Sequence, residues 1–203
     1  MSERLSRREM LKQLGVMLGV AAGFPVSVPA KARSQALSAV GNTFISLNPA
    51  EAEILRAIVA RIIPADENGP GALEARADRY IDRALSGALR NQRSAYTTGL
   101  AEVDARAQSL KGAAFAKLSA ADQDAVLTDI QSGQFFNLVR AHTIQGTFSD
   151  PFYGGNENFI GWDLIGYPGA RVAVQASLQR MDVKPEPSRK SAYDYPMFNK
   201  GEI

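Results

Sequence analysis

The chain has one histidine, His142, and no cysteine. An imidazole can serve as a base, a nucleophile or a metal ligand near neutral pH. One histidine without thiols cannot build a nitrogen- or sulfur-rich metal centre within a single chain, although an oxygen-ligated site survives. Ser149 and Asp150 follow in "HTIQGTFSDPFYGG", so a Ser-His-Asp relay of Ser149, His142 and Asp150 is formally open. A stand-alone hydrolase built on it would lack the strand-turn-helix GxSxG context that exposes a nucleophilic serine. The competing reading takes "FFNLVRAHTIQG" as an apolar helix. It leaves His142 partly buried near the helix end, hydrogen-bonded to a backbone carbonyl or a carboxylate.

Two acidic pairs, Glu51 with Glu53 and Asp122 with Asp124, are spaced two apart. Residues two apart do not share a helix face, so these acids are expected to support helix starts through the dipole rather than to work as pairs. "YGGN" and "GYPG" match neither GxGxxG nor GxxxxGK[ST] and follow no strand pattern, which argues against nucleotide binding. Gly154 and Gly155 are expected to adopt positive φ, and Pro168-Gly169 to make a tight turn. Basic residues alternate with acids instead of forming a stripe with aromatics, so nucleic acid is not an expected partner.

Residues 142–169, "HTIQGTFSDPFYGGNENFIGWDLIGYPG", hold six of the sixteen aromatic residues and the only tryptophan. A loop this long and irregular is usually functional or disordered, and disorder suits aromatic-poor sequence, which this is not. Tyr and Trp on a glycine-shaped loop give large contact area at low entropic cost, the composition of a binding surface. Folding back onto the chain's own helices is the alternative, and the two readings are compatible if one side packs inward while the other is presented.

Five helical segments would position this loop. In "LNPAEAEILRAIVARIIPADENGPG", Asn48 can cap, Pro49 fits the first helical position and Glu51 completes a capping box. Ile54, Leu55, Ile58, Val59 and Ile62 then form one apolar stripe, which Pro64 ends. A second segment over residues 73–85 uses Leu73, Ala77, Tyr80, Ile81, Ala84 and Leu85. A third over 91–110 aligns Tyr96, Leu100, Val103 and Ala107. Ser119 with Asp122 offers a second capping box before Val126, Leu127 and Ile130, and a fifth helix covers 134–148. No segment alternates like a strand. The expectation is an all-α fold, a compact helical domain of about five helices with a long aromatic, Gly-rich loop and an extended C-terminal tail. In a chain of 203 residues, 45% hydrophobic and 22% charged, one such domain is the natural size. It is read over 47–180 after a polar connector at 33–46, and a short helical piece is expected after Arg171. The tail, 181–203, should not fold alone, but Tyr193, Tyr195, Met197 and Phe198 favour a docked state.

The net charge of +2 is concentrated at the front, where residues 1–32 carry a net +3 and leave −1 on the rest. A basic start, an eleven-residue apolar run over 14–24 and Ala30-Lys31-Ala32 make the three-part plan of an export signal. The run is well short of the roughly 20 residues of a spanning helix. Within it, Ser6-Arg7-Arg8-Glu9-Met10-Leu11-Lys12 resembles the twin-arginine motif, with Ala30 and Ala32 flanking a cleavage position. That route carries prefolded cargo through the twin-arginine translocase to the periplasm.

From residue 47 to 169, and most specifically in "FFNLVRAHTIQGTFSDPFYGGN…GWDLIGYPG", the sequence resembles the gluconate 2-dehydrogenase subunit 3 family. The resemblance implies a noncatalytic small subunit of a membrane-associated, periplasmic dehydrogenase complex acting on a sugar or sugar acid. In such complexes a large flavoprotein of the glucose-methanol-choline (GMC) type holds FAD, and a multihaem cytochrome c subunit carries electrons away. The small subunit supplies the export address and helps the large one mature. No cofactor is expected in this chain. As interface or scaffold residues the resemblance points to Arg140, His142, Thr143, Asp150, Tyr153, Gly154, Gly155, Asn156, Trp162 and Tyr167. The alternative is a stand-alone periplasmic enzyme using His142.

Overall fold

Asn48 starts the first helix, α1 (Pro49–Ile62), through both arms of the expected box. Its side chain accepts from the Glu51 N–H at 2.9 Å, and the Glu51 carboxylate accepts from the Asn48 N–H at 2.9 Å. Four further helices of ten residues or more follow: α2 (Ala77–Ser86), α3 (Arg93–Lys111), α4 (Ala120–Asp129) and α5 (Gln134–Phe148). This computed structural model describes residues 44–174, 176, 182 and 185–198. The export signal read over 1–32 and most of the connector lie outside them. Among the described residues there is no strand, only an isolated bridge between Asp66 and Gly69 in the turn after α1.

α1 runs through the middle of the bundle and touches each of the other four long helices. Its Leu55, Ile58 and Val59 are fully buried, against Ile81 and Leu85 of α2, Tyr96 and Leu100 of α3, Val126 of α4 and Val139 of α5. Each large apolar side chain so buried contributes about 1.5–3 kcal/mol, set against the entropy of ordering the chain. Ile54 and Ile62, at the edges of the same stripe, pack on this core from half-buried positions.

The sequence reading departs from the structure in four places. The second helix begins at Ala77 rather than residue 73, because Arg76 takes a left-handed backbone (φ 58°) that stops the helix there. The preceding residues 72–76 form turns instead, with Ala72 and Ala75 fully buried. Gly71 lies so close to α1's end that a Cβ would come within 2.4 Å of the Ile63 carbonyl oxygen. At α4, Ser119 caps the Asp122 N–H, but the Asp122 carboxylate takes the Ser119 hydroxyl (2.8 Å) and Lys111 (2.7 Å), so the box is half made. A sixth short helix, α6 (Ile160–Leu164), lies inside the aromatic loop. Of the helical piece expected after Arg171, residues 171–174 are not helical and most of the rest lies outside the described residues.

The folded unit begins at Phe44, inside the connector read over 33–46. The reason is Asp82, a buried carboxylate on α2 that accepts the N–H groups of Ile45 (2.7 Å), Ser46 (2.8 Å) and Leu47 (2.9 Å). Three donors converging on one acid fix the entry of the chain against α2, while the Phe44 ring carries the Arg79 guanidinium 3.9 Å from its centroid.

Candidate functional site

His142 sits on the inner face of α5, only 6% exposed. Its Nδ1 is hydrogen-bonded to the Tyr96 hydroxyl of α3 at 2.9 Å, and the two rings lie parallel at 5.9 Å. Phe135 meets Tyr96 edge-on at 5.5 Å. Burial holds the imidazole below its ordinary pKa and pushes the Tyr96 hydroxyl up. The partner is therefore a phenol, neither the backbone carbonyl nor the carboxylate expected from sequence. The relay with Ser149 and Asp150 is not assembled. Seven residues of helix place Ser149 about 10 Å along the axis from His142, and both Asp150 oxygens are engaged elsewhere.

The last turns of α5 are built to receive the loop. Thr143 and Thr147 are fully buried and return their hydroxyls to the carbonyls of Val139 (2.7 Å) and Thr143 (2.8 Å). Gly146 lies against α2, where a Cβ would fall 2.8 Å from Ala77 Cα. On its other side, Gly155 presses so close that a Cβ would reach 2.1 Å from the Gly146 carbonyl oxygen, and Gly161 repeats the approach on Thr147 at 1.8 Å. Gly154 has the positive φ expected of it (95°). Gly155 does not; its requirement is space. Asn156, fully buried with φ 48°, links three elements. Its N–H donates to Gly146 O (2.8 Å), its amide nitrogen to Ser149 O (2.9 Å), and its amide oxygen accepts from Gly161 N (2.8 Å). Trp162 is 6% exposed and donates from Nε1 to Phe148 O at 2.9 Å.

Asn158 (φ 54°) and Phe159 (φ 64°) continue the left-handed path. For residues with a Cβ such backbone costs about 1–3 kcal/mol each and persists only where the surroundings enforce it. The opposite side of the loop is presented. Phe152, Tyr153, Ile165 and Tyr167 are 44–59% exposed, with Tyr167 edge-on to Trp162 at 4.9 Å. Pro168-Gly169 makes no closed turn. Gly169 has φ 91°, and the Pro168 carbonyl instead accepts the N–H of Ser188 from the tail at 2.7 Å.

Asp150 is scaffold rather than free surface. Its Oδ1 accepts the Phe152 N–H (2.9 Å) and the Ser191 hydroxyl (2.6 Å), and its Oδ2 accepts the Ala192 N–H (2.8 Å). Arg140 stands apart, exposed beside Arg61, Asp124 and Thr128 around a polar pocket of about 260 Å³. A larger groove, about 640 Å³, lies between α3 and the start of α5, and Glu102 is the only titratable residue lining it. It offers no acid-base pair. Among the described residues no cluster of three or more His, Asp or Glu is placed to hold a metal, and no helix is long and apolar enough to cross a membrane. Sequence reasoning missed Gly146, Gly161, Arg189 and Ser191. The last was legible, since "SAYD" has the Ser-x-x-Asp signature of a capped turn, and both arms of that cap form.

A family model described as gluconate 2-dehydrogenase subunit 3 matches residues 49–169. The match opens at the first residue of α1 and closes at Gly169, so it takes in α1 to α6 and the loop but not the tail. No curated protein and no solved structure matches the chain.

Proposed function

The chain belongs to the gluconate 2-dehydrogenase subunit 3 family, and from that premise we propose that it is the noncatalytic small subunit of a periplasmic sugar or sugar-acid dehydrogenase complex. Its partner on this reading is a GMC-type flavoprotein that binds FAD and performs the oxidation, with a multihaem cytochrome c subunit carrying the electrons away in a membrane-associated complex. The chain carries the folded flavoprotein out through the twin-arginine translocase and holds it during maturation.

The observation that carries the reading is the two-sided build of the loop. Gly155, Asn156, Gly161 and Trp162 pin it to α5, while Phe152, Tyr153, Ile165 and Tyr167 face out. A rigid floor under exposed aromatic rings suits an anchor for another protein. The groups a catalyst would use are engaged in structure, His142 with Tyr96 and Asp150 with the loop and tail. The sequence before the domain contributes the address, Ser6, Arg7, Arg8, Met10, Leu11 and Lys12, with Ala30 and Ala32 at the cut.

The test is co-expression with the flavoprotein. With Arg7 and Arg8 both changed to Lys, which keeps charge but removes the guanidinium, flavoprotein activity should stay in the cytoplasm. Undiminished periplasmic activity would overturn the export role. Turnover of a sugar by the purified small subunit alone would overturn the noncatalytic one.

A further inference from the structure

The chain after Gly169 lies outside the matched region, yet its residues 185–198 are bonded to the loop at three stations. Ser191 and Ala192 converge on the Asp150 carboxylate at 2.6 and 2.8 Å. Arg189 donates to the Asn158 carbonyl (3.2 Å) and to the Asp163 carboxylate (2.8 Å). Ser188 donates its N–H to Pro168 O (2.7 Å) and its hydroxyl to Ala170 O (3.2 Å), where the Tyr195 hydroxyl also donates (2.9 Å). Tyr193 adds a ring stacked on Phe152 at 3.9 Å, with its hydroxyl 2.8 Å from that of Tyr153.

These stations fall on the parts of the loop that need holding. Arg189 grips the left-handed stretch at Asn158 and Phe159, and itself has φ 45°. Asp150 ties the tail to the same turn that its Oδ1 caps. The tail nevertheless contributes almost nothing to the core. Ser191 is its only buried residue among those described, and Met197 and Phe198 are 62% and 52% exposed. A cleft of about 390 Å³ remains between tail and loop, lined by Phe148, Trp162, Ile165, Tyr167, Ala170 and Ala192 around Asp150. A segment held by polar bonds at the surface opens far more readily than the helices beneath it.

We propose that residues 185–198 are a strap that closes on Asp150 and Asp163 and holds the aromatic loop in its strained form, so that strap opening and loop relaxation are a single event distinct from unfolding of the helical core. A partner docking on Phe152, Tyr153 and Tyr167 meets the ordered arrangement only while the strap is closed. That consequence rests on the function proposed above; the strap itself does not.

The experiment is hydrogen–deuterium exchange on the purified full chain, comparing the unaltered protein with the double variant Arg189→Gln/Ser191→Ala. Trp162, the only tryptophan, provides a second readout, because its ring shares a pocket with Pro187 and Arg189. The variant should exchange the amides of residues 156–169 at least tenfold faster and expose Trp162 to acrylamide. Protection of α1 to α5 and the far-UV circular dichroism should not change. A strap that exchanges fast over a loop still protected would overturn the proposal, and so would loosening of the whole domain. If the double variant fails to fold, native-state exchange of the unaltered chain in low denaturant decides the matter. Strap and loop must then open in one step below global unfolding; separate steps, or merger with the global one, overturn it.

Discussion

Tyr96 and His142 form a buried pair in which a phenol and an imidazole lie parallel, 6° apart in plane, with the hydroxyl 2.9 Å from Nδ1. Burial depresses the His142 pKa from its ordinary 6.5, so the unfolded chain binds a proton more readily than the folded one. The stability this gives is whole above about pH 6.5 and is lost as pH falls below it. His142→Gln should cost about 1–3 kcal/mol at pH 7.5 through the lost bond and packing. The gap to the unaltered protein should narrow toward pH 5, as urea midpoints across that range will report. A gap constant with pH would rule out a neutral, buried His142.

Asp82 should be among the costliest polar residues to replace. Asp82→Ala removes the acceptor of the Ile45, Ser46 and Leu47 N–H groups and leaves the buried Leu47 N–H unpaired, at about 2 kcal/mol. Limited proteolysis should then cut close to Phe44, at a rate well above that of the unaltered chain.

Asp78 has the opposite character. It is 3% exposed, and its Oδ1 has no hydrogen-bond partner. Burial raises its pKa, against the opposing pull of Arg56 at 3.8 Å and Arg79 at 4.0 Å. A raised carboxyl penalises the folded state as pH climbs above the unfolded value of 3.8. Asp78→Asn should therefore gain stability relative to the unaltered protein between pH 3.5 and pH 7. Thermal melts at the two pH values check the sign.

The two sides of the loop should separate in mutagenesis. Gly155→Ala and Gly161→Ala each force a Cβ into α5 backbone and should cost about 1–3 kcal/mol or more. Phe152→Ala and Tyr167→Ala remove half-exposed rings that touch Tyr193 and Trp162, and each should cost less, about 0.5–1.5 kcal/mol. Together they should weaken capture of the flavoprotein proposed as the partner by about tenfold or more, read by co-purification or interferometry. Unchanged capture would place the docking face elsewhere.

Helix positions were legible wherever local chemistry decides them. Asn48 and Glu51 at the start of α1, and the span of α5, follow from capping and apolar spacing alone. The late start of α2 was not, because it turns on Arg76's left-handed backbone, at the end of a turn whose Ala72 N–H bonds the Ile63 carbonyl, and nothing periodic marks it. In the loop, the aromatic and glycine content marked the segment, but not which side each residue takes. Gly154 serves by conformation and Gly155 by closeness to Gly146, and composition cannot tell these apart. His142's partner came from a helix 46 residues earlier. The tail's grip on Asp150 spans 41. Such pairings exist only once the helices have packed.

The knot of amides on Asp82 also has a mechanical meaning. Tension applied ahead of Phe44 reaches the three N–H bonds to α2 before it reaches Asn48, where α1 begins. The load is shunted sideways into a helix that packs along α5, and the central helix is spared. On the export role proposed above, a domain towed by its leading end would arrive with the middle of its bundle unstressed.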